Sequence, residues 1–436
     1  MKTFLLIIAS FFIINKPFAQ ETVYPAPAQT APVVITNATV HTGNGQTLQN
    51  ASVVIEMGKI TAVGTNVNLP SGATTINAQG KHVYPGLILS RSNLGLIEIS
   101  SVRASNDLTE IGDLNSSIRS IVAYNADSKV INTLRSNGIL LANIVPQGGL
   151  ISGSSSVVQL DAWNWEDAAY KTDAGIHFYM PSLLVPPRFG GFGGAQQQTQ
   201  VDVVKQGLEQ VDRIKSFFHE AKAYHSSTAA TESNLKFGAA KGLFDKSKKL
   251  YVHANTVKQL LVALDFVKEF GFDVVIVGGA DSWQIADILK QNNVSVILQQ
   301  PHALPIATDD DIDQPFKTPA MLQKAGVVFA INDDDGNTRQ RNLAFNAGTA
   351  VAYGLTKEQA LQAITLNAAR ILGIADRTGS IEVGKDANII ISEGDILDMK
   401  TSIITDAFIQ GRKIDLTDKH KQLNERYEIK YGQKPF

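Results

Sequence analysis

Lys81-His82-Val83-Tyr84-Pro85-Gly86-Leu87-Ile88-Leu89-Ser90 separates two kinds of sequence. Upstream, residues 33–84 run as short apolar stretches: Val33-Val34-Ile35, Thr39-Val40, Ser52-Val53-Val54-Ile55 and Ile60-Thr61-Ala62-Val63. Gly43-Asn44-Gly45, Met57-Gly58-Lys59 and Ser71-Gly72 punctuate them as turns, which is an all-β texture. Downstream of Gly86, apolar runs alternate with helical periodicity. Eight such runs occur, at 87–90, 139–145, 157–160, 176–180, 250–254, 273–277, 294–298 and 327–331. Helical patterns fill intervals such as 257–270, 282–291 and 357–372. Alternation of this kind and length predicts an α/β fold with eight parallel strands closed as a (β/α)8 TIM barrel. A doubly wound open sheet is the alternative, weakened because no G-x-G-x-x-G opens a helix after a strand.

The β texture returns near the C-terminus, in Gly379-Ser380-Ile381-Glu382, in 387–391 and in Ala407-Phe408-Ile409. Neither β part has enough strands to close on its own, so the two are expected to complete one another. The division that follows is a signal peptide at 1–20, a composite β-sandwich from 32–84 and 376–416, a barrel at 85–375 and a C-terminal tail at 417–436. Residues 186–200, PPRFGGFGGAQQQTQ, cannot pack a core and are expected to form a loop leaving the fourth run.

Among 436 residues there are 39 Lys and Arg against 41 Asp and Glu, and no cysteine. Disulfides, thiolate metal sites and a cysteine nucleophile are thereby excluded. Near-neutral charge without a basic stripe argues against nucleic acid as a partner. Met1-Lys2 followed by the apolar run at 4–14 has the length of a secretory h-region rather than of a membrane span. Cleavage after Ala19 or Gln20 is expected, giving an exported chain, periplasmic or extracellular, with no further membrane-spanning segment.

The quoted stretch also resembles the first barrel strand of the amidohydrolase superfamily, where G-x-x-V-x-P-G-L-I-D-x-H-x-H normally stands. The resemblance extends to Leu94-Gly95-Leu96-Ile97-Glu98, Pro146-Gln147-Gly148-Gly149, Leu366-Asn367-Ala368-Ala369-Arg370-Ile371-Leu372-Gly373 and Gly379-Ser380-Ile381-Glu382-Val383-Gly384-Lys385-Asp386-Ala387. It is strongest for the imidazolonepropionase-like branch. The resemblance implies a hydrolase of non-peptide C–N bonds, in which zinc or another divalent metal activates water and an aspartate moves the proton.

Position by position, the ligands implied by the resemblance are incomplete. Arg91 and Asn93 occupy the two H-x-H positions, and Leu89 the preceding aspartate. The fifth strand keeps His253, the sixth has Gly278 in place of histidine, and the eighth keeps an aspartate, taken as Asp333. The fourth run, Ile176-His177-Phe178-Tyr179-Met180, has no lysine to bridge two metals. Asp333 is thus the expected catalytic residue, with His253 and Asp333 as residual metal ligands. Zinc sites need about three protein ligands, and a permanently charged guanidinium repels a divalent cation. Arg91 is therefore expected to stand in for the metal, pairing with Asp333 and polarising a carbonyl or binding a carboxylate. Arg91, Asn93 and His302 form the expected substrate-binding set, with a loop histidine as the bland reading of His302.

Other motifs carry less. His219 and His225 lack H-E-x-x-H spacing. The aspartates at 309–313 lack the glycine and the terminal glutamate of a calcium loop. Gly148 to Ser156 lacks the Gly-Lys-Ser/Thr ending of a phosphate loop. Three functional readings remain open: a hydrolase of cyclic or other small amides with an altered site, a non-catalytic binder of small molecules, and a partner subunit of an active paralogue. Homo- or hetero-oligomers fit the last of these.

Overall fold

The computed structural model describes residues 23–184, 200–227, 233–305, 310–334 and 338–433. The expected signal peptide lies outside the described residues, as does the glycine- and glutamine-rich loop apart from Gln200.

The N-terminal strands are β1 (Val33–His41), β2 (Thr47–Glu56), β3 (Lys59–Gly64), β4 (Thr74–Asn77) and β5 (His82–Pro85). They join three from the far end of the chain, β14 (Ile389–Ser392), β15 (Ile404–Ile409) and β16 (Arg412–Lys413). The order is β16-β15-β14-β5-β1-β2-β3, with β4 also on β1. The β part is thus composite, built as one hydrogen-bonded sheet in place of two facing sheets. It can curl because one edge of β1 is shared, its first half pairing β4 and its second half β5. Ile35, Val53, Ile55, Val83, Ile389, Ile391 and Phe408 fill the core it encloses.

The second sheet contains all eight runs: β6 (Leu87–Ser92), β7 (Ile139–Ile144), β8 (Ile151–Gln159), β9 (Ala169–Tyr179), β10 (Lys249–Ala254), β11 (Val274–Gly278), β12 (Ser295–Leu298) and β13 (Phe329–Ile331). They follow chain order in a nearly closed barrel. Gly86 permits the tight start, since a Cβ there would meet Leu140 Cδ1 at 2.5 Å. The expected parallel arrangement needs one correction, because β8 runs antiparallel to both β7 and β9. Only residues 145–150 join β7 to β8, whereas a parallel crossover needs about a dozen or more residues. Where β13 and β6 share no ladder, the Asn332 side chain bridges instead. Its Oδ1 accepts from Arg91 N at 3.1 Å and its Nδ2 donates to Arg91 O at 3.0 Å.

Helix Val257–Phe270 begins at a Thr256/Gln259 capping box and stops at Gly271. The continuous pattern at 357–372 divides into Lys357–Ala363 and Leu366–Leu372, because the Thr365 hydroxyl donates back to Leu361 O at 2.7 Å. Beyond residue 416 the chain forms helix Lys419–Tyr431, capped by Asp418. Buried Asp161 ties the ends of the molecule together, accepting from Arg135, from Arg412 at 2.7 Å and from Ala26 N at 2.9 Å. Among the described residues, no helix is long and apolar enough to cross a membrane.

Candidate functional site

The C-terminal ends of barrel strands are where this architecture gathers functional groups. β9 and β10 each bring a histidine and a tyrosine there. His177 and Tyr179 share one face of β9 because side chains alternate along a strand, and Tyr251 and His253 share the matching face of β10. Register sets Tyr251 opposite His177 and His253 opposite Tyr179. Both pairs stack, with ring centroids 4.7 Å and 3.8 Å apart. Across them, His177 Nδ1 and His253 Nε2 share a hydrogen bond of 2.9 Å.

Burial, followed by the nearby Arg91 guanidinium, pushes His177 down to about 3. The same two causes, with His177 added, hold His253 well below the usual histidine range. Both rings are therefore neutral at pH 7. Burial raises the Tyr179 phenol, whose hydroxyl donates to Pro146 O at 3.2 Å.

Arg91 stands at the end of β6, with Asn332 holding its backbone. Its Nη1 donates to Asp334 Oδ2 at 2.8 Å, and both side chains are partly open to solvent. The acid that pairs with Arg91 is thus Asp334, whereas Asp333 is the one expected from sequence. Asp333 is 2% exposed, and its Oδ2 accepts from Asn346 Nδ2 at 2.9 Å, on helix Leu343–Ala352. Successive residues at a strand end face opposite ways, which separates the two carboxylates.

A cleft of about 580 Å³ opens at the ends of β11, β12 and β13, lined by Gly278, Leu298, Gln300, Leu304, Gln314 and Ile331 among others. The Gln300 N–H approaches Asp334 Oδ1 at 3.5 Å, which places the cleft beside the Arg91 pair. Asn93 lies half-buried just beyond β6, its carbonyl accepting from Leu96 N at 3.0 Å. His302 is not gathered with the others. It is exposed, bonded through Nε2 to Thr349 Oγ1 at 3.0 Å and set edge-on against Phe316.

These residues do not fit a divalent metal. Among the described residues, no group of three or more His, Asp or Glu side chains is placed to share an ion. His253 spends its Nε2 on His177, and Arg91 brings a positive charge to the place of the H-x-H pair. The sixth-strand position is closed to any side chain. Gly278 has φ +104°, and a Cβ there would stand 2.3 Å from Asn255 Oδ1.

Three participants were missed from sequence: His177, Asn332 and Asp334. Matching His-x-Tyr and Tyr-x-His patterns on the fourth and fifth runs were the available signal for His177.

Fold and site together define an α/β-barrel protein with its polar machinery at the strand C-termini and a composite β domain beneath. The Amidohydrolase family profile matches residues 221–417. An imidazolonepropionase of Thermoplasma volcanium is 24% identical over 372 residues, 81% of this chain and 88% of that protein. One from Flavobacterium psychrophilum is 28% identical over 197 residues, 43% of this chain and 45% of its own. The crystal structure of an amidohydrolase from Thermotoga maritima is 25% identical and superposes with a TM-score of 0.74, covering 88% of this chain and 99% of its own. Profile, relatives and solved structure agree in making the chain similar to the amidohydrolase superfamily and, within it, to imidazolonepropionases.

Proposed function

We propose that this chain is an exported member of the superfamily that takes a small cyclic or otherwise non-peptide amide at the barrel mouth, where Arg91 supplies the positive charge a metal would bring. Relatives that are imidazolonepropionases, matched over about four-fifths of the chain, support C–N bond hydrolysis as the reaction class. The Arg91–Asp334 pair carries the reading of the site. A guanidinium that is partly exposed beside a cleft polarises a carbonyl or clamps a carboxylate through charge-assisted hydrogen bonds. Asp333, held by Asn346, is the carboxylate available to move a proton, and the neutral His177–His253 pair orients the substrate as a hydrogen-bonding wall. In this reading the superfamily's metal site is degenerate.

A second reading is a non-catalytic binder or the partner subunit of an active paralogue. The histidine pair favours it, since two imbalanced imidazoles that are bonded to each other and hard to protonate offer little general-base chemistry. Titrating the purified protein with cyclic ureides, ureido acids and N-acyl amino acids, while following amine release by NMR, separates the two. Chelator-insensitive turnover that falls about a hundredfold in Arg91→Met supports the proposal. Binding without turnover supports the second reading, and turnover only with added zinc overturns the role given to Arg91.

A further inference from the structure

A second cluster of titratable groups lies on β1 and β5, just before the first barrel strand, on the seam between the β domain and helix Lys357–Ala363. His41, His82 and Tyr84 line a recess of about 400 Å³ with Glu358, Leu361 and Leu397. The three rings are nearly parallel. His41 and Tyr84 are 4.4 Å apart at 11°, and His82 and Tyr84 are 6.0 Å apart at 12°. They make a layered aromatic lining in which His41 and His82 are the partly exposed rings, with Leu361 and Leu397 completing the slot.

Hydrogen bonding around Glu358 is lopsided. Its Oε1 accepts from His41 Nδ1 at 2.6 Å and from Thr47 Oγ1 at 3.0 Å, while its Oε2 is buried without a partner. His41 Nε2 is bonded to His82 Nδ1 at 3.0 Å. The Tyr84 hydroxyl, 2% exposed as a residue, approaches the Ile396 backbone without reaching hydrogen-bond geometry. Lys357 and Asp395 neutralise each other at 2.7 Å. Glu358 is then the recess carboxylate that faces no lysine or arginine.

We propose that this recess is a ligand site distinct from the barrel mouth, taking a small planar aromatic cation with N–H donors. The ring packs against the partly exposed His41 and His82 rings, and the cationic N–H group donates to the unpartnered Glu358 Oε2. A flat slot excludes bulky aliphatic amines. A ligand here touches the β domain and the barrel together and so bridges the seam.

Benzamidinium chloride serves as the probe, titrated calorimetrically into the full chain at pH 8, with neutral benzamide as its isostere. Saturable benzamidinium binding is expected, with benzamide about tenfold weaker. Glu358→Gln, which preserves shape, weakens the cation about tenfold, and Leu397→Trp fills the slot and abolishes binding. Arg91→Met leaves binding unchanged, which keeps this result separate from the fate of the mouth. Absence of saturable binding, equal affinity for benzamide, indifference to both seam variants, or loss in Arg91→Met would each overturn the proposal.

Discussion

Two histidine pairs, one at the barrel mouth on β9 and β10 and one at the seam on β1 and β5, differ in the charge beside them. At the mouth, His177 and His253 approach to 2.9 Å next to Arg91. At the seam, His41 and His82 approach to 3.0 Å, with Glu358 bonded to one ring, while burial and then His41 lower the proton affinity of the other against the pull of Asp395. The mouth pair, with His177 buried and His253 partly so, is pressed by a cation and stays a neutral wall. The seam pair keeps partly open rings and a carboxylate. The mouth therefore brings a cation, its acid and a closed glycine position into the same space.

The largest expected effect concerns that closed position. Gly278→His forces a side chain into a left-handed backbone and against Asn255, and should cost about 3 kcal/mol or more in urea unfolding. Arg91→His/Asn93→His should cost about 1 kcal/mol, as ordinary partly exposed substitutions do. Equal, small costs for both would remove the steric half of the contrast.

Asn332→Ala strips both backbone partners from Arg91 across the unpaired barrel gap and is expected to cost about 2 kcal/mol. A loss well below that would mean that the β13–β6 closure does not hold Arg91.

Acid sharpens the electrostatic contrast. His177 is depressed to about 3 in the folded chain, so the unfolded chain binds the extra proton first. Its contribution to stability is intact above the ordinary histidine value of about 6.5 and is lost as pH falls toward 3. The melting temperature should therefore drop steadily below pH 6.5, and less steeply in His177→Phe. A slope unchanged by that substitution would show that the acid sensitivity lies elsewhere. The smallest effect is at the seam, where Glu358→Gln weakens one charge-assisted bond to His41 and should cost about 1 kcal/mol in the same unfolding assay.

Much of the barrel was legible because each run is a buried strand with a strong apolar signature. The direction of β8 was not legible, since periodicity is the same for either direction and only the short 145–150 link hints at a hairpin. The composite β part was readable because two incomplete sets of strands needed each other. At the site, motif position singled out Arg91 and His253, which the fold brings near one another. Asp334 was missed because a one-residue choice at a strand end swaps the face, and His177 because its meaning depends on register with Tyr251. His302 lay just past a strand end, yet its ring turned to Thr349 and Phe316.

The central claim is that Arg91 holds the metal's place, and metal content tests it most directly. Protein purified without chelators and then exposed to equimolar zinc should carry well under one zinc per chain by mass spectrometry, with no sub-micromolar uptake by calorimetry. About one tightly held zinc per wild-type chain, lost on mutation of His253 or Asp333, would contradict the account.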